Sequence, residues 1–306
     1  MADTGSQMLK DLYAGWIAAN EADPERTLDA IRADFEHWGD VTTEPGQVDY
    51  IEGTVGGVPG LWAIPKRQDN ACVLLCAHGG GYVLGSMYSH RKLYGHLAKA
   101  VGCKAFIPDY RRAPEHVHPA QVSDVVAVYA GLLADHGATA ERTAFVGDSA
   151  GGALAISGLL AAREQGLALP AAAYAMAPYL DLEARGATYE TNAEVDILGS
   201  RDATLAFVDI FLGPDGNRHD PLASPLHADL AGLPPILVQT GADDVLLDDS
   251  RAFYERATNA GNDVALKIWP DMQHVFQFLA GNSAVADTAI AEAAVWLREK
   301  LGIVAK

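Results

Sequence analysis

The stretch Phe145-Val146-Gly147-Asp148-Ser149-Ala150-Gly151-Gly152 constrains this chain most. An apolar, strand-like segment runs into Gly-x-Ser-x-Gly and then, from Ala150 to about Arg163, into an alanine- and leucine-rich helix. A serine at such a junction sits on a tight, strained turn, so the flanking positions must lack side chains that would collide. Gly147 and Gly151 meet that need. The turn predicts a Ser149 hydroxyl lifted clear of a sheet, with the backbone N–H of Ala150 at the helix start facing any oxyanion formed beside it. An ordinary glycine-rich loop between strand and helix is the plain alternative.

Around this turn the chain alternates. Strand patterns at 48–55, 58–64, 71–77, 103–108, 143–147, 172–176, 236–241 and 264–269 are separated by helical stretches near 88–100, 120–135, 150–163, 248–260 and 284–301. The first two strands are joined by Gly56-Gly57, which reads as a hairpin turn. The rest predict an α/β fold with a mostly parallel sheet covered on both faces, its working groups at the carboxyl ends of the strands.

Two regions stand outside this rhythm. Apolar residues at Met8, Leu9, Leu12, Tyr13, Trp16 and Ile17, and then at Leu28, Ile31, Phe35 and Trp38, predict two amphipathic, aromatic helices. They read as a helical cap over 1–45 that serves as a lid, with simple packing onto the sheet as the alternative. The stretch 182–234 interrupts the alternation, with a helix expected near 201–212. The catalytic domain is placed at 46–306, carrying a second cap element at about 182–218.

At 306 residues and 49% hydrophobic, the chain can bury a substantial core. A formal charge of −18 argues against nucleic acid and anionic membranes as partners, since both attract basic surfaces. Cys72 and Cys76 fall in one strand, their Cα atoms about 13 Å apart and out of disulfide reach, so the cysteines read as buried thiols. With no secretory h-region at 1–10 and no long apolar run, the expectation is a soluble cytoplasmic protein.

The strand at 71–77 ends in His78-Gly79-Gly80-Gly81-Tyr82. With 10 His and 30 Gly in the chain, His followed by three Gly is expected by chance only about 0.01 times. Such a run can aim two backbone N–H groups at one point, a role given to Gly80 and Gly81 with Ala150 as third donor. The other use of a glycine loop, cradling phosphate, lacks its Lys-Ser/Thr ending here. His78 reads as a loop-holding residue and Asp148 as one that positions backbone near the helix start. His116-x-His118 has a metal-like spacing, but its loop context favours an exposed turn.

A serine hydroxyl needs a base, and the base needs a carboxylate to fix its tautomer. The strand at 236–241 is followed by Asp243 and Asp244, and the strand at 264–269 by His274, the only histidine carboxy-terminal to His227. These residues reproduce the order Ser, Asp, His with each member after a strand.

Together, HGGGY at 78–82, DYRRAPEHVHPA at 109–120, GDSAGG at 147–152, DPLASPL at 220–226, DDVLLDD at 243–249 and QHVFQ at 273–277 make the chain resemble the hormone-sensitive-lipase-like group (bacterial family IV) of α/β-hydrolases, mostly carboxylesterases, over nearly all its length. The resemblance implies an eight-stranded sheet with a helical cap, the triad Ser149, Asp244 and His274, and oxyanion donors at Gly80, Gly81 and Ala150. Asp244 is preferred to Asp243 because its spacing to Asp248 fits the family's acid loop. Arg111, Glu115 and Asp124 look like a scaffold network by the same resemblance. In departure from the family, Val275 stands where glycine often follows the histidine, and Arg112 where leucine often precedes Ala-Pro-Glu.

The resulting expectation is a serine carboxylesterase for short-chain acyl or aryl esters, using no metal or cofactor, with a small-molecule ester as its partner. A lactone hydrolase, suggested by the acid loop, and a serine peptidase are rivals within the enzyme class. A non-catalytic receptor of the same fold is the rival outside it. A homodimer is one option for assembly, which the chain leaves open.

Overall fold

The computed structural model describes residues 4–303, so the outermost limits of the expected cap and catalytic segments, 1–3 and 304–306, lie outside it. Its sheet has eight strands: β1 (Val48–Val55), β2 (Val58–Pro65), β3 (Asp69–Ala77), β4 (Cys103–Pro108), β5 (Thr143–Asp148), β6 (Ala172–Met176), β7 (Ile236–Gly241) and β8 (Val264–Trp269). They lie in the order β1-β2-β4-β3-β5-β6-β7-β8. β1 and β2 pair antiparallel through Val55↔Val58, as does β2 with β4, and every other pairing is parallel. Gly56 (φ 58°) and Gly57 (φ 82°) close the hairpin with the positive φ values that a two-residue turn of this twist demands.

The central strands β5, β6 and β7 are buried along their whole length. Both of their faces are covered, which is why they read as continuous apolar runs rather than alternating ones. Helices α4 (Ala120–Asp135), α5 (Ala150–Glu164) and α8 (Leu247–Asn259) share the core on one face of the sheet. On the other face pack α3 (Arg91–Val101) and α9 (Ala284–Lys300).

The stretch between β6 and β7 holds the short α6 (Thr188–Thr191) and the expected α7 (Arg201–Leu212), which Ser200 caps by accepting from Ala203 N. At the amino terminus, α1 (Thr4–Ala22) and α2 (Leu28–Phe35) belong to the α3–α9 core through Leu9, Tyr13 and Phe35. The same helices also send Trp16, Ile31 and Phe35 toward a cavity at the carboxyl ends of the strands. These helices thus both pack onto the sheet and wall a cavity.

The three cysteines are free and buried, as expected. Burial raises all three thiols, that of Cys72 to about 11.

Candidate active site

Ser149 sits between β5 and α5 with φ 53° and ψ −121°, a conformation that a non-glycine residue holds only when its surroundings impose it. The imposition is backbone on backbone. A Cβ on Gly147 would lie 2.0 Å from the Gly151 carbonyl oxygen, and one on Gly151 would lie 2.0 Å from the Ala77 carbonyl oxygen, so β3, the turn and the start of α5 touch without room for any side chain. Ser149 N donates to Met176 O at 2.8 Å, and its carbonyl accepts from Ala153 N and Tyr179 N.

Beyond β3, Gly80 (φ 111°) and Gly81 (φ 61°) turn the chain back over this serine. A Cβ on Gly80 would meet the Leu84 carbonyl at 2.3 Å. Among the described residues, the N–H groups of Gly80, Gly81 and Ala150 donate to no protein acceptor, and Gly80 and Gly81 line the same cavity as Ser149.

The loop is fixed from behind by Asp148, though not as expected. Rather than serving the helix start, its carboxylate reaches back to the glycine run. It accepts from Gly79 N at 3.1 Å and Tyr94 OH at 2.5 Å, and lies 3.2 Å from His90 Nε2. His78 does hold the loop: its Nδ1 is 2.8 Å from Gly79 O, and its ring stacks on Tyr110 at 4.1 Å. Burial pushes His78 well below the ordinary histidine pKa, which keeps the ring neutral.

The acid and base loops follow β7 and β8. Asp244 is fully buried, and its Oδ2 accepts from His274 Nδ1 at 2.8 Å while its Oδ1 accepts from Leu246 N at 2.8 Å. An ionised carboxylate only accepts, so Nδ1 carries the proton and Nε2 is left as the free lone pair. Asp243 instead lies 3.4 Å from Gln273 Nε2. The structure thus pairs His274 with Asp244, the carboxylate chosen on spacing.

Burial, the largest single influence on His274, pushes its pKa down. The charge and hydrogen bond of Asp244, joined by the charges of Asp196 and Asp148, together outweigh it and hold the ring above its ordinary value. Among the described residues neither Ser149 Oγ nor His274 Nε2 has a protein hydrogen-bond partner. Contacts of this kind commonly close only when substrate is bound.

Ser149, Asp244, His274, Gly80 and Gly81 line one cavity of about 210 Å³, whereas Ala150, fully buried, is not among its lining residues. Its walls come from elsewhere in the chain: Trp16, Phe35 and Trp38 from the amino-terminal region, and Leu198 and Phe207 from the insertion. Among the described residues, Glu183, His219 and His227 form the one group with metal-ligand character, their ligand atoms within 4.8 Å of one another. None of them lines this cavity, and Arg185 Nη1 already pairs with Glu183 at 3.1 Å. His118 pairs with Asp220 at 3.3 Å rather than with His116.

A family model described as the alpha/beta hydrolase fold matches residues 74–278, a span that contains Ser149, Asp244 and His274. The chain belongs to that family. This α/β-hydrolase is 38% identical over 304 residues to an acetyl-hydrolase of Streptomyces hygroscopicus, covering 99% of each chain. It is 35% identical over 263 residues to the carboxylesterase NlhH of Mycobacterium tuberculosis, 79% of each. Its backbone superposes on an esterase from the bacterial hormone-sensitive lipase family with a TM-score of 0.91 at 41% identity, covering 99% of this chain and 100% of that one. The group suggested by the motifs is therefore the right one within the family.

Some of this α/β-hydrolase's site was not legible in the motifs. The expected network of Arg111, Glu115 and Asp124 divides: Arg111 pairs with Asp124 at 2.7 Å, but Glu115 turns away to Arg32 of α2 at 2.6 Å. Arg32 also donates to Val83 O and Ala113 O, tying an amino-terminal helix to the glycine loop. Tyr13 OH donates to His274 O at 2.8 Å, so α1 holds the base loop as well. Asn192 and Asp196, from the insertion, meet the acid loop. None of these residues carries a spacing that announces a partner so distant in sequence.

Val275 does carry a signal. It adopts φ 45° and ψ 47°, the left-handed conformation that explains why glycine often stands there in the family.

Proposed function

We propose that this α/β-hydrolase is a serine carboxylesterase that cleaves short-chain acyl or aryl esters through an acyl-enzyme. The observation that carries the reading is the His274 Nδ1–Asp244 Oδ2 pair, 2.8 Å long and opening onto the same cavity as Ser149 and the glycine amides.

In this reading Ser149 Oγ attacks the acyl carbon while His274 Nε2 takes its proton. The imidazolium that results is stabilised by Asp244 through Nδ1–H. The carbonyl oxygen becomes an oxyanion held by the N–H groups of Gly80, Gly81 and Ala150, donors fixed before the reaction and therefore needing no reorganisation. Collapse breaks the ester C–O bond as His274 returns the proton to the departing alcohol. Water, deprotonated in turn by His274, then attacks the acyl carbon; the serine leaves, regains a proton, and the acid is released.

Substrate size follows from the walls. A cavity of about 210 Å³ lies below the roughly 300–1,000 Å³ of pockets that hold drug-sized ligands. Its largely apolar, aromatic lining suits a small acyl or aryl group. We further assign residues 4–45 and about 182–218 as a cap that covers this cavity, and the cytoplasm as its compartment, given three buried thiols in no disulfide. Among the described residues, no helix is long and apolar enough to cross a membrane.

A p-nitrophenyl ester series from acetyl to dodecanoyl, run beside a lactone and with Ser149→Ala as blank, tests the reading. The expected result is a maximum at short chains and a loss on the order of 10³-fold or more in kcat for Ser149→Ala. Equal turnover by Ser149→Ala would overturn the mechanism, and a preference for the longest chains would overturn the substrate class.

A further inference from the structure

The segment inserted between β6 and β7 does more than wall the cavity: it is bonded to both loops that carry the acid and the base. Asn192 Nδ2 donates to Ala242 O at 2.9 Å and to Asp244 O at 2.8 Å. Asp196 Oδ2 accepts from Val245 N at 2.8 Å, immediately after the triad acid. On the base side, Gln273 accepts from Ile197 N at 2.9 Å and donates to Val195 O at 2.8 Å, immediately before His274. Asp196 Oδ1 meanwhile accepts from Leu198 N and Gly199 N, which fixes the orientation of its own carboxylate.

We propose that Asp196 is a positioning residue for the reaction: it clasps the acid loop at Val245 N and adds a second carboxylate charge beside the Asp244–His274 pair. The proposal rests on the serine-esterase reading and deepens it.

Charge and geometry both support it. Asp196 is only 6% exposed and lines the cavity with Asp244 and His274. Its pKa is raised to about 6, first by burial and then by the charge of Asp244. The N–H groups of Gly199 and Val245 and the charge of His274 pull the other way. At neutral pH it therefore carries its charge in the main.

The groups that act on His274 are Asp244 from the acid loop, Asp196 from the insertion and Asp148 from the end of β5. Tyr13 from α1 touches the His274 backbone carbonyl. All three charges are negative, so removing one lowers the affinity of the ring for a proton and weakens the imidazolium formed in the transition state.

Two variants weigh the charge against the tether. Asp196→Asn removes the charge and, with one acceptor oxygen in place of two, also the bond to Val245 N or those to Leu198 N and Gly199 N. Asn192→Ala loses a tether of the acid loop and no charge, so the position of the acid limb is what tells the two apart. With p-nitrophenyl acetate, Asp196→Asn is expected to lower kcat about tenfold or more with KM little changed. Its acid limb of kcat/KM should move toward lower pH by on the order of half a unit. Asn192→Ala should lose rate while its limb stays in place. Asp196→Glu, which retains the charge, should keep the limb at the wild-type position and provides the reading should the asparagine variant fail to fold.

An Asp196→Asn enzyme with an unmoved limb, or an Asp196→Glu enzyme whose limb drops, would overturn the proposal and leave Asp196 a structural residue only. Ser149→Ala in the same assay keeps the two readings apart. If Ser149→Ala is inactive while the Asp196 variants behave as wild type, the esterase mechanism stands and the positioning role falls.

Discussion

The nucleophile turn and the acid–base corner face the same cavity, yet they are held by different means. Ser149 is fixed by backbone against backbone, where Gly147 and Gly151 leave no space for a single added carbon. The acid–base corner is fixed by side chains that bridge three segments, with Asn192, Asp196 and Gln273 reaching partners 49 to 78 residues away. The first arrangement restricts residue type, because only glycine fits. The second restricts position in space and accepts ordinary polar residues, so it leaves little trace in the sequence.

Four substitutions and one titration would break or sharpen that contrast. The largest effect is expected at Asp244→Asn, which removes the acceptor that orients His274 Nδ1: kcat should fall on the order of 10⁴-fold with circular dichroism unchanged. Asp243→Asn should stay near the wild-type rate, and a reversed order of the two would move the triad acid to Asp243.

The nucleophile turn should fail through the fold instead. Gly147→Ala drives a Cβ to 2.0 Å from the Gly151 carbonyl, a backbone contact that no side-chain rotation relieves. Thermal unfolding should show a loss of about 2 kcal/mol or more. A variant with unchanged Tm would mean that the turn is looser than its geometry.

Next comes pH. Only neutral His274 can accept the Ser149 proton, so kcat/KM should be lost as pH falls through the pKa of the ring. The carboxylates around it hold that pKa above the ordinary histidine value. The acid limb should therefore have its midpoint above about 6.5 in a plot of log kcat/KM against pH. A midpoint well below that value would show that burial, rather than carboxylate charge, governs the ring.

The smallest effect is expected at Val275→Gly. Glycine relieves a left-handed conformation worth about 1–2 kcal/mol. The change also uncovers a fully buried valine worth roughly 1.5–3 kcal/mol. The two ranges nearly cancel, with their midpoints leaving a net loss of under about 1 kcal/mol, read as a small drop in Tm. A clear gain would mean that strain outweighs packing at this loop.

Much of the fold and the reacting groups was legible in the chain. The continuous apolar runs of the inner strands, the paired positive-φ glycines of the hairpin and the glycines around Ser149 each follow from a local physical requirement, and each stands where expected. Ser149, Asp244, His274, Gly80 and Gly81 are brought to one cavity.

What the chain did not disclose are the supports. In the sequence Asp148 points to the helix start, yet it serves the glycine loop. Glu115 groups with Arg111 by motif but pairs with Arg32. Tyr13 looked like one more apolar position on a helix, although its hydroxyl holds the carbonyl of the base. Each is a long-range hydrogen bond from a residue whose local pattern has a sufficient explanation without it, and periodicity cannot register a second role.

The central claim is that His274, oriented by Asp244, activates Ser149. The most direct measurement is the rate of covalent labelling by an organophosphate, with the modified peptide located by mass spectrometry. Wild-type protein should be labelled stoichiometrically at Ser149, His274→Ala on the order of 10³-fold more slowly, and Ser149→Ala not at all. Labelling at another residue, or an undiminished rate in His274→Ala, would contradict it.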